Sequence, residues 1–237
     1  MAGTASTLRG VLAATLAIAL VLSSAARAGA LSVLPILIEG DSRTTLTLKN
    51  QDSRPLNIQI RVFKWTQVDG EDRLEPTDEV VVSPPIVAVA PNQDYVVRLQ
   101  RMSSEPPAQE EAYRVVVDQL PNPNRQRNGT VEVVLRFLVP AFFGSPDESQ
   151  PRLRWALETR GGRRVLVAEN SGDRRVQLTN LALKKGNRVV SVQKGLAGYV
   201  LGHSEKVWPV PANVAGGAGT SVISMSDRGA INAALPP

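Results

Sequence analysis

Along most of the chain apolar and polar positions alternate with a period of two, and β-branched residues fill the alternating runs. No stretch after residue 28 sustains a helical period. The alternation predicts strands over Leu31 to Ile38, Thr44 to Asn50, Leu56 to Thr66, Val80 to Val82, Asp94 to Gln100, Ala112 to Gln119 and Thr130 to Pro140, parted by Gly, Pro, Asn and Asp turns. Strands at this spacing predict an immunoglobulin-like sandwich. A polar break from Gly144 to Pro151 has the composition of a domain boundary. Beyond it, Leu153 to Thr159, Arg164 to Asn170, Val176 to Lys184, Asn187 to Lys194 and weaker strands as far as Met225 predict a second, smaller sandwich. From Arg228 to Pro237 there is little pattern, and this tail is expected to be loosely ordered. The predicted fold class is all-β, two β-sandwich domains over residues 29–143 and 144–237.

The opening 28 residues stand apart. Arg9 precedes an apolar run from Val11 to Leu22, and Ala26-Arg27-Ala28 places small residues at the spacing a signal peptidase reads, so residues 1–28 predict a cleaved export signal. Ala28-Gly29-Ala30 offers a second cut. The apolar run is shorter than the roughly 20 residues a membrane span needs, so no membrane insertion is expected. An exported chain with 0 Cys has no disulfide staple and must be held by packing, which fits a bacterial envelope better than a small secreted scaffold.

Charge and composition narrow the function classes. Hydrophobic residues make up 43% and charged residues 21%, a globular balance. Without Arg9 and Arg27, 25 of the 27 basic residues remain against 22 acidic ones, a mild excess that is scattered along the chain. With aromatics at only 4%, nucleic acid is not an expected partner. The single histidine, His203, reads as an exposed loop imidazole, and with no Cys the common zinc sites and nucleophile–imidazole pairs cannot be assembled. Glu110-Glu111 and Asp69-Gly70-Glu71-Asp72 match no calcium loop and read as solvated turns, and Gly161-Gly162 reads as a hairpin turn rather than a phosphate cradle. No cofactor, no metal and no enzymatic activity are expected.

One run stands out within the first domain. In Thr130-Val131-Glu132-Val133-Val134-Leu135-Arg136-Phe137-Leu138-Val139-Pro140, Val131, Val133, Leu135 and Phe137 fall on one face of a strand. It can be an ordinary sandwich strand, or an edge strand that lends backbone groups and four apolar side chains to a partner lacking a strand. Alternation alone leaves both readings open.

Longer matches then enter in a fixed order along the chain. They are Ala30-Leu31-Ser32-Val33-Leu34-Pro35, Leu46-Thr47-Leu48-Lys49-Asn50, Arg61-Val62-Phe63-Lys64-Trp65-Thr66-Gln67, Val82-Ser83-Pro84-Pro85-Ile86, Ala90-Pro91, Val97-Arg98-Leu99 and Tyr113 to Pro121. In the second domain Val165 to Asn170 with Gly172, and Gly198-Tyr199-Val200-Leu201-Gly202, continue the series. Together these resemble the periplasmic chaperones of pilus subunits, closest to the branch serving archaic, spore-coat-like secreted pili. The resemblance implies two immunoglobulin-like domains in a boomerang, a periplasmic location, and binding of pilus subunits lacking a strand through Val131, Val133, Leu135 and Phe137. It further implies delivery of the subunit to an outer-membrane usher. Family members grip the subunit's terminal carboxylate with one basic residue in the first strand and another near the end of the donor strand, where this chain has Leu37 and Pro140. A carboxylate in a cleft needs a cation, best a guanidinium. Arg136 is the leading candidate because it shares a strand face with Pro140, and Arg61, Lys64, Arg98 and Arg114 are alternatives. The rival reading is a structural or adhesive pilus component.

Overall fold

The computed structural model describes residues 31–121, 133–144, 150–211, 214 and 219–236, and residues 31–237 form one compact unit. Residues 1–28, expected as an export signal, and Val131 lie outside the described residues. Every described element is a strand.

The first ten are β1 (Leu31–Leu34), β2 (Ile38–Gly40), β3 (Arg43–Asn50), β4 (Leu56–Val68), β5 (Glu71–Pro76), β6 (Val80–Ser83), β7 (Ile86–Val89), β8 (Asp94–Arg101), β9 (Glu111–Gln119) and β10 (Arg136–Phe143). They make two facing sheets. One has the order β1-β3-β8-β6, the other β2-β10-β9-β4-β5 with β7 also on β4. The opening run therefore splits. β1 pairs antiparallel with β3, and after Leu34 the chain crosses to the other sheet, where β2 pairs parallel with β10. Buried parity changes across the crossing, from Leu31 and Val33 to Ile38.

Strand β4 shows how the second half of the chain is joined on. Its buried residues are Leu56, Ile58, Ile60 and Val62 on one face, then Trp65 and Gln67 on the other. The first group packs inside the sandwich, and the second sits on the outer face of the sheet, where other strands cover it.

Those strands are β11 (Leu153–Arg160), β12 (Arg163–Asn170), β13 (Val176–Lys185), β14 (Arg188–Val200), β15 (Ser204–Pro209), β16 (Thr220–Ser226) and β17 (Gly229–Ala234). They form sheets β11-β12-β15 and β14-β13-β16-β17. Their shared core holds Trp155 stacked on Trp208 at 6.1 Å between centroids, with Leu166, Leu178, Leu181, Leu183 and Val222 around them. Trp208 Nε1 donates to the Ala197 carbonyl at 2.9 Å, so its one polar atom is satisfied. Gly161 and Gly162 turn β11 into β12 at φ 56° and 74°, the left-handed pair that a tight two-residue hairpin requires.

Several sequence expectations are corrected. The tail is not loose, because β17 pairs with β16 and Leu235 is buried with its N–H on the Thr220 carbonyl at 2.9 Å. The acidic run after Asp69 opens β5, a fully exposed strand on the rim of β4. Of the strand expected over Thr130 to Pro140, Thr130 to Glu132 lie outside the described residues, and β10 starts at Arg136 and continues to Phe143, because Ala141, Phe142 and Phe143 are buried and paired on both sides.

Candidate functional site

Strand β10 has one edge closed and one partly open. Its inner edge runs antiparallel to β9 from Arg136–Asp118 to Phe143–Glu111. Its outer edge meets β2 only at Ala141, Phe142 and Phe143, so among the described residues nothing pairs with it from Arg136 to Pro140. The ladder tells which groups point outward. Gln119 N–H donates to the Leu135 carbonyl at 2.9 Å, which makes the odd residues of β10 the ones bonded to β9. Arg136 and Leu138 therefore direct their N–H and C=O groups to the open edge. Pro140, which has no N–H, falls on the same outward side, the place where a sheet tolerates proline, and it marks where the open edge ends and β2 begins.

The two faces of β10 differ as well. Val139, Ala141 and Phe143 point into the first sandwich and are buried, Phe143 lying edge-on to Tyr113 at 5.8 Å. Continuing that face toward the N-terminus, Phe137 and Leu135 are half-buried, and Val133, ahead of β10, is 75% exposed. Three of the four residues singled out by alternation thus form an apolar row that runs from the sandwich core into solvent. Leu138, at 52% exposed, and Ile36, at 79%, flank it on the outer face and on the segment between β1 and β2.

The even face of β10 turns toward the second sandwich. Phe142 joins Trp65, Tyr199 and Leu201 in a buried cluster, with Leu37 and Ala112 packed against it. Trp65 meets Phe142 at 5.8 Å and Tyr199 edge-on at 5.6 Å. Of the five candidate cations, four are engaged or remote. Arg136 and Arg61 converge on Asp118, Arg61 Nη2 at 2.6 Å. Burial pushes the Asp118 carboxyl up, and the two guanidinium groups outweigh it and hold the carboxyl below its usual range. Lys64 donates to both oxygens of Glu79 at 2.7 and 2.9 Å, and holds that carboxyl low. Arg98 is exposed on β8, in the sheet that does not contain β10. Arg114 differs. Its guanidinium lies 3.7 Å over the Trp65 ring and 5.9 Å from that of Tyr199, and among the described residues it has no ion pair. Burial pulls its pKa down, and the charge of Asp72 offsets this only in part.

Residues that sequence reasoning missed hold the two sandwiches together. Glu110, expected in a solvated turn, is buried and binds Arg175 of the β12–β13 connection through its carboxylate. It also accepts the Arg175 N–H at 2.9 Å. Arg175 reaches Glu39 at 2.6 Å and lies 3.6 Å over the Phe142 ring. Glu111, the second half of that acidic pair, is gripped in parallel fashion by Arg101 at 2.7 and 2.8 Å. Gln67 donates to the Tyr199 carbonyl at 2.8 Å and accepts the Leu201 N–H at 3.0 Å, so one amide reads two backbone groups of the other sandwich. Lys206 pairs with Asp72 at 3.0 Å. Gly70, at φ 81°, lets β4–β5 approach so closely that an added Cβ would stand 2.2 Å from Val207 Cγ2. His203 is the exposed turn residue expected, 2.7 Å from Asp173.

Solved structures share this architecture. The archaic chaperone CsuC in complex with the tip adhesion subunit CsuE, from Csu pili of Acinetobacter baumannii, has a TM-score of 0.71 at 24% identity, over 88% of this chain and 100% of that one. The Salmonella enterica SafA pilin complex with the SafB chaperone gives 0.62 at 18%, over 89% and 99%. The Pseudomonas aeruginosa CupB2 chaperone gives 0.58 at 20%, over 86% and 100%. At these identities the likeness is one of fold. No curated protein sequence matches the chain. Residues 32–149 match the N-terminal domain of PapD, the model for pili and flagellar-assembly chaperones, from within β1 past the end of β10, and the chain belongs to that family.

Proposed function

We propose that this protein is a non-enzymatic periplasmic chaperone that holds a pilus subunit lacking one strand and passes it to an outer-membrane usher. The observation that carries the reading is the open outer edge of β10, Arg136 to Pro140, continuous with the apolar row Phe137, Leu135 and Val133. Family membership and two structural neighbours solved with partners, a tip adhesion subunit in one and a pilin in the other, support the partner class. A subunit strand pairing with the open edge would satisfy outward backbone groups, while side chains of the row entered the subunit's incomplete core. Val131, outside the described residues, would extend that row. Each apolar side chain taken from water this way contributes roughly 1.5–3 kcal/mol before ordering costs. The chain would reach the periplasm through export segment 1–28, cut after Ala28 or Ala30, and work as two domains over 29–143 and 144–237. A structural pilus component, the rival reading, would need a sandwich short of a strand.

Among the candidate carboxylate anchors, Arg114 takes precedence over Arg136. Arg136 already shares Asp118 with Arg61, whereas Arg114 lies over the Trp65 ring with no ion pair among the described residues, and only Asp72 offsets its charge from a distance. Arg114→Ala is expected to lower retention of the subunit by about tenfold, the value of one charge-assisted contact. Arg136→Ala should cost less, since Asp118 keeps Arg61. Co-purification of subunit with each variant checks the order, and a larger loss from Arg136→Ala reverses the assignment.

A further inference from the structure

The end of the second sandwich away from the first carries a cluster of exposed cations. Two hairpin turns meet there, one between β11 and β12 and one between β13 and β14. Val210 N–H bonds the Arg164 carbonyl, and Val214, which accepts from Arg164 Nη1 at 2.9 Å, lines a cavity with Lys184, Arg188 and Thr220. Arg163, Arg164, Lys184, Lys185 and Arg188 are all exposed. The sequence has no Asp or Glu in 160–164, 184–188 or 210–220. Arg160, opposite Arg163 in the β11–β12 ladder, is already held by Glu158 and Glu205 and is left out of the group. The cavity, about 180 Å³, has an apolar wall of Leu183, Val190 and Val214, and a cationic rim. Thr220 lines it too, and its Oγ1 is buried without a hydrogen-bond partner among the described residues.

We propose that this cationic end docks on an anionic phospholipid surface, with a headgroup phosphate seated between Lys184 and Arg188 near Thr220. Clustered Lys and Arg side chains near an anionic bilayer are drawn to it within about a Debye length. A membrane fits this end better than a nucleic acid does, because Trp155, Tyr199 and Trp208, the Trp and Tyr residues of the second sandwich, are all buried and not available to stack on bases. Val189, 53% exposed beside Arg188, adds an apolar contact at the same place. No helix of the described residues is long and apolar enough to cross a membrane. The open edge of β10 belongs to the other sandwich and stays clear of the surface.

Co-sedimentation of the exported chain with vesicles tests this. Phosphatidylglycerol vesicles should retain the protein at low ionic strength and release it near about 0.5 M salt, while phosphatidylcholine vesicles should not retain it. The triple variant Arg163→Glu, Lys184→Glu, Arg188→Glu should lower partition to the anionic vesicles by at least about tenfold with its unfolding midpoint unchanged. If those reversals lower the midpoint, the pair Lys184→Gln, Arg188→Gln carries the test, with a loss of about threefold or more expected. Equal binding to neutral vesicles, parent-like binding by the variants, displacement from vesicles by millimolar inorganic phosphate alone, or tighter binding to duplex DNA would each overturn the proposal.

Discussion

Leu135→Asp should abolish capture of a pilus subunit and leave the chaperone's own unfolding midpoint close to that of the parent. Leu135 stands on the row that leaves the sandwich, half-buried and ahead of β10, so a carboxylate there keeps its water in the free protein. In the proposed complex the same carboxylate would enter an apolar core without a partner, at a cost of several kcal/mol on top of the lost burial. A difference of about 4 kcal/mol is roughly a thousandfold in affinity. Val133→Asp should behave in the same way, with still less effect on the fold, because Val133 is 75% exposed. Subunit recovery by affinity pull-down, beside thermal melts of the free variants, separates the outcomes. Global unfolding of Leu135→Asp would instead make this an interior position.

Arg175→Ala is expected to be the most destabilising single change at the join between the sandwiches. The side chains of Arg175 and Glu110 are 4% and 3% exposed, so removing the guanidinium leaves a buried carboxylate with only Arg174, at 3.8 Å, as counter-charge. Breaking one side of such a pair costs about 3–5 kcal/mol. For a chain of this size that is a fall of roughly 10 °C in the melting midpoint. The rest of the site adds to the effect, since Arg175 also covers the Phe142 ring and reaches Glu39. Burial pushes the Glu110 carboxyl up even with Arg175 and Arg174 beside it, which shows how little water the pair keeps. Replacing both Arg175 and Glu110 by leucine should be milder than either single change, because no uncompensated charge then remains. A thermal melt of the three variants decides this.

Where local pattern and tertiary role agree, the fold was legible in the sequence. Trp155, Leu166 and Leu178 fall on the inward parity of the predicted strands, and Gly161-Gly162 makes the turn its composition announces. Pattern failed where burial comes from another part of the chain. In β5 all six residues are exposed, so no alternation marks it as a strand, and it exists through pairing with β4. β17, Gly229–Ala234, is built of small residues and is secured by β16 and by the burial of Leu235. Glu110 looked like half of a solvated acidic pair because its partner Arg175 lies 65 residues on. The same blindness hid which carboxylates the cations pair with. Asp118 lies on β9 beside Arg136 only because β9 and β10 pair in one register, and no local pattern of residues reveals that register. The apolar row could be read from alternation, whereas the open edge beside it depends on where β2 joins β10.

Hydrogen exchange at the Arg136 and Leu138 amides, with and without a purified pilus subunit that lacks a strand, tests the central claim most directly. In the free protein both amides face the open edge and should exchange rapidly. In a one-to-one complex they should become protected, together with the outer edge up to Pro140. A stable complex in which these two amides still exchange at the free rate would contradict the claim.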